Sequence, residues 1–216
     1  MKQKLDKWER WLQSIYEDMR HQAASRTVYR ETLAIIADNP GVPKDSDFLE
    51  FMEQWYVDST VMGLRRQLKV QSDSVSLVGL LEDIAANPTA LSRERFVGPY
   101  PKDLHDHADA VFDKHAGTGA TYVDADAIRA DLGKLKDLAD RCEEYADRLV
   151  AHHDRRGISA LPTHDELDQA IGFAEMLLQK YFLLLRGDSL ASVTPVFQHN
   201  WKRIFEMPWI PRGQPG

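Results

Sequence analysis

Cysteine is almost missing from this chain of 216 residues. Cys142 alone cannot close an intramolecular disulfide, and thiolates cannot assemble a zinc site around it. Long apolar runs are missing too. Nothing approaches the roughly 20 residues a membrane-spanning helix needs, and the best stretch, residues 176–185, is broken by Gln179 and Lys180. The opening MKQKLDKWERW is charged throughout and lacks the apolar stretch of a signal peptide. These absences predict a cytoplasmic protein without a membrane partner. An excess of basic charge is also lacking: the formal net charge is −7 and the sequence pI about 5.6. Wholesale wrapping of nucleic acid is therefore excluded, although a local basic pocket on an acidic body is compatible with that charge. No G-x-S-x-G and no glycine-rich phosphate loop after a strand is present, so neither a nucleophile elbow nor a nucleotide-fuelled motor is supported. No strong hairpin signal, internal repeat or long linker appears.

What remains is helical periodicity. Hydrophobic residues make up 43% of the chain, enough for a substantial core in one domain. Over residues 4–37, Trp8, Leu12, Ile15, Met19, Ala23, Arg26, Tyr29, Leu33 and Ile36 recur at spacings of three and four, the stripe of a long amphipathic helix. Arg26 interrupts that stripe, either with its stem along the core or pointing into a shared pocket. Asn39, Pro40 and Gly41 end the helix.

A second helix is predicted over residues 46–70, with Phe48, Met52, Trp55, Ser59, Met62 and Arg66 on one stripe. A short helix capped by Ser74 or Ser76 runs through Ile84 to Asn87-Pro88. A loop with one helical turn covers 89–102, and a further helix covers 102–115 before Gly117 and Gly119. The next segment, 124–153, carries a continuous stripe from Ile128 through Leu135, Cys142 and Ala146 to His153, with Gly157 as a stop. Thr163 and Glu166 have capping-box spacing and start a last helix that Gly187 ends. The short connections predict an all-α antiparallel bundle of long helices over residues 1–187. Residues 188–216, with four prolines and two tryptophans, form a tail expected to dock on the bundle or on a second subunit.

The residues that could carry chemistry cluster near the end of the 124–153 segment: Tyr145-Ala146-Asp147-Arg148-Leu149-Val150-Ala151-His152-His153-Asp154-Arg155-Arg156. On a helix, Arg148 and His152 share a face, and His153 lies one step round towards the apolar stripe. A permanently charged guanidinium beside an imidazole that titrates near neutrality suits attack at a phosphate. The arginine holds the phosphoryl oxygens and the histidine moves a proton. A plainer account also fits, because Arg and His are favoured in the last turn of any helix, where the carbonyls carry partial negative charge.

Arg65 and Arg66 could add phosphate contacts or form ion pairs. A second group, His105 and His107 with Asp103, Asp106 and Asp109, reads as a solvated helix face rather than a metal site. His105 and Asp109 share a face, but no third ligand is placed.

Three stretches together resemble HEPN-domain proteins of the AbiU-like branch linked to bacterial abortive infection. They are Gly63-Leu64-Arg65-Arg66-Gln67 with the segment from Ser74 to Ile84, then Tyr145 to Asp154, then Pro162-Thr163-His164-Asp165-Glu166-Leu167 leading to Tyr181. The resemblance implies an α-helical bundle that dimerises and cleaves RNA without a metal or other cofactor. It also implies a role in phage defence or as a toxin, with an antitoxin or regulatory protein as a further partner.

The family signature is an arginine, a polar neighbour, and a histidine after four to six intervening residues. Arg148 and His153 have four between them. His152 follows Ala151, where the A-H-x-D form of the branch puts its histidine, with Asp154 as the acid. Leu149 departs from the polar neighbour, and Asp147 stands on the other side of Arg148. On this view Arg148 and His152 or His153 are catalytic, Asp147 and Asp154 assist, and Arg65, Arg66 and Arg155 hold substrate. A non-catalytic helical module that binds RNA, a nucleotide or a protein is the alternative.

Overall fold

Helices account for nearly all the regular structure in the computed structural model, which describes residues 1–147 and 162–207. They are α1 (Lys2–Asp38), α2 (Asp47–Leu68), α3 (Leu77–Ala85), α4 (Arg93–Val97), α5 (His105–Ala116), α6 (Ala125–Tyr145) and α7 (His164–Arg186), with short 3-10 turns at Pro88–Ala90, Lys102–Leu104 and Trp201–Glu206. Among the described residues, β pairing is confined to an isolated bridge between Ser92 and Tyr122, and no helix is long and apolar enough to cross a membrane.

The side-chain pairs between helices give their directions. α1 and α2 run antiparallel: Asp18 of α1 meets Arg66 and Gln67 of α2, and Tyr29 stacks on Tyr56 with ring centroids 3.8 Å apart. α1 and α7 are also antiparallel, from the Tyr16–Phe182 contact through Arg26–Glu175 (2.7 Å) to Arg30–Asp168. α6 and α7 repeat the pattern through Lys180–Asp131 (2.8 Å) and Arg141–Glu166 (2.7 Å). The predicted antiparallel bundle is thus the observed one. Its core is the apolar side of α7, Leu167 to Leu185, packed against Trp8, Leu12 and Ile15 of α1 and Ile128, Leu135 and Cys142 of α6. The Trp8 ring is wholly buried, and its indole N–H donates to Asp83 of α3 at 3.0 Å, so a bulky anchor is sealed without an unpaired donor.

The local signals act as their chemistry requires. Ser76 caps α3 by accepting from the Gly79 N–H, so of the two candidate serines it is the cap. Thr163 and Glu166 form the reciprocal capping box of α7, and Gly187 ends that helix in the left-handed region at φ 73°. At Gly63 a Cβ would fall 2.3 Å from the amide end of the Gln22 side chain, so a larger residue there would make Gln22 move.

Two expectations change. The buried face of α2 is rotated from the expected one: Tyr56, Thr60, Leu64 and Gln67 are buried and Met62 is partly so, whereas Phe48 and Trp55 are 55% and 63% exposed. Both faces of α2 carry apolar residues at helical spacing, so periodicity alone does not choose between them. Towards the end of α1, Thr32 is buried and Leu33 exposed. Asp168, one turn into α7, pairs with Arg30, so only the first turn of α7 lies beyond that contact towards the end of α1. Arg26 pairs with Glu175 across the α1–α7 contact.

Thr163→Ala should lower the unfolding free energy by about 0.5–2 kcal/mol in urea denaturation, through loss of the α7 cap. Burial pushes the Cys142 thiol up to about 11, with Glu166 adding to the shift. Cys142 should therefore react with a disulfide reagent at neutral pH only as fast as the protein unfolds, and rapid labelling of the native chain would contradict this packing.

Candidate functional site

The last turn of α6 is bound to α2 by a short chain of polar contacts. Tyr145, almost wholly buried, donates its hydroxyl hydrogen to Asp58 Oδ1 (2.7 Å) and accepts from Gln54 Nε2 (2.9 Å). Burial raises its pKa, and the Asp58 carboxylate adds to that. Immediately beyond, Ala146 and Asp147 take π-helical geometry, a local widening often found at functional sites.

Asp147 then reaches back to α2. Arg65 Nε donates to its Oδ1 at 2.6 Å, and Lys69 Nζ lies 3.4 Å from Oδ2 and 2.9 Å from Glu143 Oε1. Burial works to raise the Asp147 pKa, but the bonds and charges of Arg65 and Lys69 outweigh it and hold the carboxyl below its ordinary value. The Lys69 pKa is raised, chiefly by the hydrogen bond it donates to Glu143.

Around the corner from this cluster lies an open cavity of about 440 Å3 between α2, the end of α6 and the start of α7. Tyr145 lines it on one side, Pro162, Thr163 and His164 on another, and Glu50 and Glu53 on a third. His164 Nε2 sits 3.1 Å from Glu53 Oε1, and its ring lies over Tyr56 with centroids 6.5 Å apart. Sequence reasoning does not single out His164 as a site residue. Its one signal is its place straight after the capping threonine.

The sequence-predicted site residues separate. Arg65 joins Asp147, as described. Arg66 turns the other way and binds Asp18 of α1 at 2.8 Å, where Gln67 also donates to Asp18 and accepts from the Leu77 N–H. Arg148, His152, His153, Asp154 and Arg155 lie outside the described residues. The His105 group is not assembled as a site: the His105 ring bonds to the Tyr100 carbonyl at 2.9 Å, and Asp109 pairs with Arg93. Among the described residues no three His, Cys, Asp or Glu side chains come together as metal ligands. No family model, curated protein or solved structure matches the chain.

Arg65→Ala, Asp147→Asn and the double variant should show a coupling of roughly 0.5–1 kcal/mol in denaturant unfolding, since both side chains are partly wet and water screens them. Because folding depresses the Asp147 pKa, its contribution is complete above the ordinary carboxylate value of about 3.9 and disappears as pH falls through the lower folded value. The stability gap between the parent and Asp147→Asn should therefore close on acidification below about pH 4, and a gap that widened there would refute the assignment.

Proposed function

We propose that the chain is a HEPN-type endoribonuclease acting in phage defence or as a toxin, with Arg148 and His152 or His153 at the scissile phosphate. The observation that carries this reading joins sequence to geometry. The stretch holding these three residues follows Asp147 and precedes Pro162, and the two flanks, Tyr145 and Pro162, line one cavity. The π turn and the Arg65–Lys69 cluster stand at the same junction.

The chemistry follows from the residue types. One imidazole takes the proton from a ribose 2′-hydroxyl, and that oxygen bonds to the adjacent phosphorus. The P–O5′ bond breaks, and the departing 5′-oxygen receives a proton from an imidazolium. The Arg148 guanidinium stabilises the charge that grows on the non-bridging oxygens. The products are a 2′,3′-cyclic phosphate and a 5′-hydroxyl, with no metal required by the steps. Pairing of two copies would set two such groups beside each other. The outward aromatics Phe48, Phe51 and Trp55 of α2, next to the residues that line the cavity, support that pairing.

A second reading has its own observation. Asp147 and Glu143 already neutralise Arg65 and Lys69, and Glu50 and Glu53 give the cavity wall a negative sign. An RNA phosphate would have to displace Asp147 to reach Arg65. That arrangement favours a non-catalytic module that binds a protein, RNA or nucleotide.

Purified protein incubated with total RNA in EDTA decides between them. The first reading expects cleavage with cyclic phosphate ends, and a loss of roughly 100-fold or more in Arg148→Ala and in one of His152→Ala or His153→Ala, with circular dichroism unchanged. RNA retained on the protein but left intact would sink the catalytic reading and leave the binding module. Sedimentation equilibrium should give a dimer that Trp55→Glu dissociates, and a monomer at all concentrations would remove the paired site.

A further inference from the structure

The far end of α7 carries a second cavity, of about 350 Å3, with chemistry opposite to that of the first. Its charged lining is Arg95 and Arg186, and its apolar lining includes Phe96, Tyr100, Pro99 and Pro101. Arg95 comes from α4 and lies across the end of α7. Its NH1 donates to the Leu184 carbonyl at 3.0 Å and its NH2 to that of Leu185, while the Tyr100 hydroxyl donates to the Gly187 carbonyl at 2.7 Å. Carbonyls at the end of a helix have no partner within it, so these bonds cap α7.

Capping does not exhaust the two guanidiniums. Each offers five N–H donors, of which Arg95 commits two. The carboxylate facing Arg95 is that of Glu9, 3.9 Å from NH2 and beyond hydrogen-bond length. Arg186 lies with its guanidinium carbon 4.7 Å from the Phe182 ring centroid and donates to Gln13 Oε1 at 2.8 Å. Among the described residues no carboxylate pairs with Arg186; its remaining contact is the Glu9 carbonyl at 3.5 Å. By contrast, the part-buried Arg26 and Arg65 meet Glu175 and Asp147 closely. Two guanidiniums that lack close counter-charge therefore share one cavity in a chain of net charge −7. Beside them stands a wall of rings: Phe96 and Tyr100 have centroids 5.8 Å apart.

We propose that this cavity binds a small anion carried on a flat apolar body, a phosphate monoester or a carboxylate attached to an aromatic ring. Arg186 and the uncommitted donors of Arg95 hold the anion, since the planar fork of arginine matches both phosphate and carboxylate oxygens. Tyr100 and the two prolines hold the ring. The volume suits a small ligand, and the site is separate from the one proposed for RNA cleavage.

The test uses the full chain and three probes of one shape: 1-naphthyl phosphate, 1-naphthoate and neutral 1-naphthalenemethanol. Calorimetry gives affinities, and 15N NMR gives location. At least one anion should shift the Tyr100 and Gly187 amides saturably and bind roughly tenfold or more tightly than the alcohol, as charge-assisted hydrogen bonds require. Tighter binding of the phosphate assigns the site to phosphate esters, and tighter binding of the naphthoate assigns it to carboxylates. Arg186→Gln should cost about tenfold in anion affinity and leave the alcohol unaffected. Should that variant unfold, Arg186→Lys, which keeps the charge and loses the fork, should still weaken the anion. Equal binding of anion and alcohol, indifference of a folded Arg186 variant, or unmoved Tyr100 and Gly187 amides at millimolar probe would each overturn the proposal.

Discussion

The phenol of Tyr145, pinned between Asp58 and Gln54, fixes where the end of α6 lies against α2 and so where the following chain begins. A buried hydroxyl that both donates and accepts holds its ring in one place, because losing either partner leaves a polar group unpaired. From that anchor the carboxylate of Asp147 reaches Arg65 and Lys69, and from the same wall the cavity opens towards His164. The geometry near the proposed chemistry is therefore set by two contacts between α6 and α2. Those contacts in turn rely on α2 being held by α1, through the Tyr29–Tyr56 stack and the Asp18 clamp.

That dependence changes how the Gly63-Leu64-Arg65-Arg66-Gln67 stretch is understood. Every one of its residues has structural partners. Gly63 admits Gln22, Leu64 enters the core, Arg66 and Gln67 bind Asp18, and Gln67 also receives the Leu77 N–H. Arg65 alone of the stretch turns towards the candidate site, and it arrives there already paired with Asp147. An electropositive cleft on a body of net charge −7 would need cations in excess of local carboxylates. At this junction the described carboxylates of Asp58, Glu143, Asp147, Glu50 and Glu53 outnumber the cations Arg65 and Lys69. Any surplus must come from Arg148, Arg155 and Arg156, or from a second copy.

The fold was legible because its signals are local. Capping by Ser76 and by the Thr163–Glu166 pair, the glycine stop at Gly187 and the long stripes of α1, α6 and α7 depend on neighbours in sequence. What was not legible depends on neighbours in space. The buried face of α2 is chosen by the partners it meets, and Phe48 and Trp55 have the same spacing as a core stripe while facing out. The candidate site was half legible. The Arg-His spacing drew attention to the chain beyond Tyr145, but nothing in it foretold that Asp147 would be drawn to Arg65, that Arg66 would face α1, or that His164 would return to the same cavity as Tyr145. The pocket of Arg95 and Arg186 was invisible for the same reason, since 91 positions separate two residues that converge only when α4 crosses the end of α7.

α7 places the two cavities at opposite ends of one rod. Its 23 residues span roughly 35 Å at 1.5 Å each, so no single small ligand bridges them. The helix dipole leaves its N-terminal end, at His164, partially positive and its C-terminal end partially negative. The bundle answers in kind, with Asp165 and Glu166 in the first turn and Arg95 and Arg186 at the last. This pairing of charge to helix end accounts for the place of Arg95, which bonds to the last carbonyls of α7, while Arg186 is held by Gln13 and the Glu9 carbonyl of α1. Coupling between the cavities would need an element with two alternative packings between them. α7 instead lies in one continuous core from Leu167 to Leu185, so binding at one end should leave affinity at the other unchanged.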